Sequence, residues 1–146
     1  MAVLTDTNIL LRLQQPHHPH CPIARRALDI LRTRNQPLVI ASQNLIEFWV
    51  AATRPFDQNG LGLTVDQAMD EISEIKRLWV LLPDVPLFDE WERLVTSLRV
   101  SGKNAHDARL VSAMHAQGID SILTFNWRDF TRFADITVID PIPLAQ

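Results

Sequence analysis

From end to end the chain alternates short apolar runs with longer stretches whose apolar residues recur every three or four positions. AVLT (2–5), PLVIAS (37–42), WVLLP (79–83), SILTF (121–125) and ITVID (136–140) have the length and composition of short buried strands. Between Cys21 and Asn35, Ile23, Ala27, Leu28 and Leu31 fall on one side and Arg25, Arg26, Asp29 and Arg32 on the other, which predicts a surface helix. SQNLIEFWVAATR (42–54) reads as a second helix with Ser42 as its N-cap. After the turn-rich RPFDQNGLG, Thr64 and Gln67 form a capping box ahead of a helix carrying Val65, Ala68, Met69, Ile72, Ile75 and Trp79. Pro86 is placed to open the next helix, with Leu87, Trp91, Leu94, Val95 and Leu98 as its stripe. SGKN ends it, Asn104 caps a further helix, AHDARLVSAMHAQG, and Gly118 closes that one. Such alternation predicts an α/β fold with a mainly parallel central sheet flanked by helices on both faces. Neither repeat nor linker divides the chain, so residues 1–146 are expected to form one domain.

Composition narrows the environment. The net charge of −3 argues against a dominating basic surface of the kind that nucleic-acid binders advertise, yet it leaves room for a nuclease built on carboxylates. The single cysteine, Cys21, has no partner for an internal disulfide, which suits a reducing cytosol. No basic segment precedes the first apolar run, and no stretch approaches the roughly 18 apolar residues of a membrane span. Neither export nor membrane insertion is expected, and the expected location is cytoplasmic.

Three carboxylates stand where a purely structural sequence would seldom put them. Asp6 follows the first strand directly, at the carboxyl end where parallel sheets bind ligands; capping the turn that follows is its structural alternative. Glu47 sits in a helix where Leu45, Phe48, Trp49 and Ala52 make one face and Ile46 and Val50 extend apolar character around it. The expectation is a largely buried helix holding one acid, against the alternative of a narrow solvent-facing strip. Buried carboxylates persist when a cation or hydrogen-bond donors compensate them. Asp107 shares helical spacing with Leu110, Val111 and Met114, so it heads the stripe that faces the core. The helix dipole favours an acid in the first turn but does not explain why it faces inward. Carboxylates from separate elements that converge on one sheet edge suit Mg²⁺ or Mn²⁺, and hydrolysis of a phosphodiester is the chemistry such a cluster commonly serves.

LTDTNILLR, ASQNLIEFWV, KNAHDARLVSAM and ILTFNWRDF, in that order and followed by ITVIDP, resemble the successive motifs of PIN-domain ribonucleases, above all the VapC-like toxins of bacterial toxin–antitoxin pairs. The resemblance implies a PIN-like fold, Mg²⁺- or Mn²⁺-dependent cleavage of RNA, homodimers, and an antitoxin whose tail blocks the acidic site. It places Asp6, Glu47 and Asp107 at the metal-binding positions. Where many members have a fourth acid after the strand, this chain has Asn126, with Asp129 three residues later; either is a candidate to complete the shell. Asn8 and Thr124 match polar residues that line the site. Arg12, Arg25, Arg26, Lys103, Arg109 and Arg128 are the cations available to RNA phosphates, and Arg109 and Arg128, with Asn8 and Thr124, are the candidates for substrate binding. Asn126 also keeps open a domain without catalysis that serves as an RNA- or protein-binding module.

Other chemistries find less support. The crowded HHPHC (17–21) has zinc-type ligands but no second pair to close a tetrahedral site, and reads as the turn before a helix. Four glycines leave little material for a phosphate loop, and no Ser or Cys has an evident paired base. A receiver-type phosphorylation domain would want adjacent acids after the first strand and a late lysine; Asp6 is single and Lys103 is the last lysine.

Overall fold

Every backbone N–H and C=O of a short apolar strand needs a partner once water is excluded, and here the five strands supply them to one another. In the computed structural model, which describes residues 1–146, β1 (Val3–Thr5), β2 (Leu38–Ile40), β3 (Val80–Leu81), β4 (Ser121–Leu123) and β5 (Thr137–Ile139) form one sheet in the order β3-β2-β1-β4-β5. All four pairings are parallel, with Val3 beside both Leu38 and Ser121. The expected parallel α/β architecture is thus present, and its strands lie where the apolar runs predicted them.

Seven helices cover the sheet: α1 (Thr7–Leu13), α2 (His20–Thr33), α3 (Ser42–Thr53), α4 (Val65–Leu78), α5 (Phe88–Ser97), α6 (Asn104–Ala116) and α7 (Pro141–Leu144). Because side chains alternate across a strand, Val3, Leu38, Ile40 and Leu123 enter a core with Leu28, Leu31, Phe48 and Trp79, while Leu4, Val39 and Ile122 enter the opposite one with Val111, Met114, Phe130 and Phe133. Trp79 ties the layers further, its indole N–H donating to Thr5 Oγ1 at 2.9 Å beneath the end of β1. No helix is long and apolar enough to cross a membrane.

Several local expectations change. The first motif contains a helix, α1, that its run of Ile9, Leu10, Leu11 and Leu13 hides behind the preceding strand, and Asp6 is its N-cap. Ser42 does not cap α3; Ala41 occupies the cap, its N–H donating to Asn44 Oδ1 at 2.9 Å, and the Ser42 hydroxyl donates to Asp84 instead. Nor does Asn104 cap α6, because the Gly102 and Lys103 carbonyls already accept from the Ala105 and His106 N–H groups. Pro86 lies just outside α5, whose N-cap is Leu87. The Thr64–Gln67 capping box and the Gly118 stop, at φ +66°, are both present.

The largest departure is α3, which is not buried all round. Gln43, Asn44, Phe48 and Ala52 face the sheet, whereas Ile46 is 63% and Val50 52% exposed. One side of the helix packs on α1 and part on α4, while Ile46 and Val50 stay open to solvent. Glu47 is consequently half-buried at the boundary between these faces.

Candidate active site at the carboxyl edge of the sheet

Chain connections run from β1 outward through β2 to β3 on one side and through β4 to β5 on the other, so the strand order reverses beside β1. At such a point the loops diverge and leave a crevice outside the strand ends. Asp6 stands there. It is only 8% exposed, and its carboxylate accepts from three donors: Thr7 N–H at 2.8 Å on Oδ1, and the Thr124 hydroxyl at 2.7 Å and Asn8 Nδ2 at 3.2 Å on Oδ2.

The donors are themselves fixed. Thr124, fully buried after β4, accepts from the Asn126 N–H at 3.0 Å and from Asn8 Nδ2 at 3.1 Å. Asn8 Oδ1 accepts the Phe125 N–H at 3.1 Å, closing a network that locks the loop after β4 to the start of α1. On the other flank, the Thr7 hydroxyl donates to Glu47 Oε1 at 3.1 Å and accepts from Asn44 Nδ2 at 3.3 Å. One threonine therefore links the Asp6 turn to the acid of α3.

The acids act on one another through their charges. Burial, opposed by its hydrogen bonds and reinforced by the charges of Glu47 and Asp129, raises the Asp6 carboxyl to about 6. Burial and the charges of Asp6, Asp129 and Glu47 push Asp107 up to about 7, with Arg132 opposing. No hydrogen-bond donor relieves Asp107, unlike Asp6. Four carboxylates from β1, α3, α6 and the 3-10 turn Trp127–Asp129 thus share one field. As the side chains stand, no three His, Cys, Asp or Glu groups are drawn together at ligand spacing.

The sequence matches the PIN domain family over residues 3–136. This chain belongs to the PIN-domain family. The PIN domain is 35% identical over 143 residues to Ribonuclease VapC24 of Mycobacterium tuberculosis, 94% of each chain being covered. Its fold is similar to that in VapBC2 from Rickettsia felis bound to a promoter DNA fragment, with a TM-score of 0.70 at 16% identity over 95% of this chain and 98% of that one. VapBC-1 from nontypeable Haemophilus influenzae is similar too, with a TM-score of 0.69 at 20% identity over 97% and 99% of the two chains.

Within this PIN domain, Asp6 and Asp107 each feel the charges of Glu47 and Asp129 without any three of the acids reaching ligand spacing, and Asn8 and Thr124 donate to Asp6. Asn126 is exposed, and its only contact with the network is its backbone N–H on Thr124. Arg128 lies over the Trp127 ring at 4.9 Å, and Lys103 is exposed ahead of α6. Arg12 donates to Gln15, Arg25 approaches the buried Cys21 sulfur, and Arg26 donates to the Ala145 carbonyl, so none of these three reaches the acids. His18 Nδ1 accepts from the His20 N–H in the turn that opens α2, in agreement with a turn at HHPHC. Sequence reasoning missed Thr7, Asn44 and Gln43. The available signal was two amides three and four residues before Glu47 in an otherwise apolar helix, where unpaired polar groups would be costly.

Proposed function

We propose that this PIN domain is a metal-dependent endoribonuclease and the toxin of a toxin–antitoxin pair. The observation that carries the reading is the placement of four mutually interacting acids at the switch point of a parallel sheet, two of them pushed up in pKa first by burial and then by their acidic neighbours. The relationship to a ribonuclease at 35% identity along 94% of the chain supports the substrate class. Likeness to VapBC complexes agrees with an antitoxin partner, and homodimers and a cytoplasmic location belong to the same reading.

The donor set fits a hard divalent cation. Its members are carboxylate oxygens, no thiol or imidazole takes part, and Asp107 is a half-buried acid with no protein donor to compensate it. Asp6, Glu47 and Asp107 would hold Mg²⁺ or Mn²⁺, and Asp129 would complete the set. A cation held there supplies Lewis acidity, making water a better nucleophile at neutral pH and offsetting negative charge on the phosphate. The protein's own part is to fix the acids. Thr124 and Asn8 orient Asp6, and Thr7 turns Glu47 toward it. No side-chain general base is required.

Cleavage of a mixed-sequence RNA in Mg²⁺, in Mn²⁺ and in chelator, beside an Asp107→Asn variant purified identically, tests this reading. Metal-dependent cleavage that the variant lacks supports it. Equal cleavage by both proteins would assign the activity to a contaminant and overturn the acidic site, and RNA binding without cleavage by either would replace the reading with a binding module.

A further inference from the structure

Beside the acids, between α3 and α6, lies a groove of about 510 Å³ whose walls include Glu47, Gln43, Arg54, His106 and Arg109. Glu47 lines the groove and also acts by its charge on Asp6 and Asp107, so the groove borders the acidic site at that side chain, with Arg54 and Arg109 beyond it. Neither Arg54 nor Arg109 is among the residues that form ion pairs. Two guanidiniums that no carboxylate occupies, at the border of an acidic site, keep their donors available to an anionic ligand.

The Arg109 side chain and the Arg54 backbone are each held in place. Gln43, 8% exposed, accepts from Arg109 Nη1 at 3.0 Å and donates through Nε2 to the His106 carbonyl at 2.8 Å. A buried amide is thereby committed to aiming an exposed arginine whose remaining N–H donors stay free. Arg54 ends α3, and its carbonyl accepts the Gly62 N–H at 2.9 Å. The returning loop passes so close that a Cβ on Gly60 would lie 1.8 Å from the Arg54 carbonyl oxygen, so only glycine allows this approach. Glu47 and Arg54 are seven positions apart, two helical turns, which puts them on one face about 10 Å apart along the axis.

We infer that this groove is a phosphate subsite for the RNA strand flanking the scissile bond, with Arg109 and Arg54 as its cations and Gln43 as a positioning residue. The inference rests on the ribonuclease reading and extends it. Planar guanidiniums match phosphate oxygens in pairs, and phosphate contacts set the register of a strand without reading its sequence. A strand whose reacting phosphate sits at the acids extends its next phosphates past Glu47 into this groove, where the basic residues offset the repulsion that the carboxylates impose.

The test uses the full chain and a fluorescently labelled single-stranded RNA of mixed sequence. Binding is followed by anisotropy at increasing salt in an Asp107→Asn background, and steady-state cleavage is followed in the otherwise wild-type protein. Arg109→Ala and Arg54→Ala should each weaken binding about three- to tenfold and lower the slope of log K against log salt by about 0.7, the value for one phosphate of a single strand. KM should rise with kcat little changed. Gln43→Met should give part of the Arg109→Ala effect and add little to it in the double variant, since it acts through the same side chain. Wild-type KM and salt slope in the Arg54→Ala/Arg109→Ala protein, with metal-dependent cleavage intact, would overturn the subsite and leave the ribonuclease reading standing. The same result accompanied by loss of a protein partner would assign the groove to that partner. Absence of any RNA binding or cleavage by the parent protein would overturn both.

Discussion

The Thr124 hydroxyl donates to Asp6 Oδ2 at 2.7 Å, joining residues 118 positions apart at the ends of adjacent strands β4 and β1. A buried carboxylate depends on such donors, and this one also accepts from Asn8 and Asn126, so its proton is directed at Asp6. Thr124→Val keeps the shape and removes the donor. The expected cost is about 1 to 3 kcal/mol of stability, a fall in Tm of about 2 to 10 °C, with Thr124→Ser retaining most of it. Chemical and thermal denaturation of the three proteins checks this. Equal stabilities would show that the hydroxyl contributes nothing to holding the acid.

Asp107 and Asp6 should respond differently to neutralisation. Asp107 has no donor to lose and faces three other acids, so Asp107→Asn should raise Tm at pH 7.5 in the absence of divalent metal. Asp6→Asn removes charge as well, but it turns an amide toward the Asn8 and Thr124 groups that now donate to a carboxylate, so it should gain less or lose. Both should abolish cleavage. A destabilised Asp107→Asn protein would contradict the electrostatic account.

Stability of the metal-free protein should fall as pH rises from about 4 to 7. Unfolded, both aspartates ionise near 3.8; folded, Asp6 titrates at about 6 and Asp107 at about 7. Between those limits the folded chain binds more protons than the unfolded one, so ionisation works against folding and the loss is complete above the folded values. Because a cation binds the ionised acids, the Tm increase caused by Mn²⁺ should be larger at pH 7.5 than at pH 5.5. Calorimetry over this range, with and without metal, measures both trends. A flat metal-free profile would remove the case for perturbed acids.

Asn126 and Asp129 separate by the same logic. Asp129 bears on both Asp6 and Asp107, whereas Asn126 reaches the network through its backbone. Asp129→Asn should lower kcat or metal affinity by an order of magnitude or more, and Asn126→Ala should change either severalfold at most. The reverse ranking, read from cleavage at varied Mn²⁺, would make Asn126 the fourth member of the set.

Thr7→Val should disconnect Glu47 from the Asp6 turn and leave Asn44 Nδ2 without its acceptor. The expected outcome is weaker metal activation with the fold kept, at a cost of about 1 kcal/mol or more from the orphaned buried amide. Unchanged metal dependence would show that Glu47 is positioned by other means.

Much of this was readable from residue order. Strand runs alternating with amphipathic stripes specify a parallel α/β sheet because each period of apolar residues can bury its face in only one way, and Asp6, Glu47 and Asp107 stood out as acids inside apolar patterns. Capping was less legible. Ser42 and Asn104 have the right side chains, but backbone carbonyls and Asn44 reached the free donors first. Burial of α3 was misjudged for a related reason: the sequence shows that Ile46 and Val50 are apolar but not whether another element is long enough to cover them.

By itself, then, the sequence determined the architecture and the acidic character of the site, since local periodicity and the end of a strand are properties of neighbouring residues. Only the tertiary structure decided which polar groups complete that site. Thr124 with Asp6, Thr7 with Glu47 and Gln43 with Arg109 are pairs separated by 118, 40 and 66 positions, and their meeting depends on which strand ends lie side by side, information that no local pattern carries.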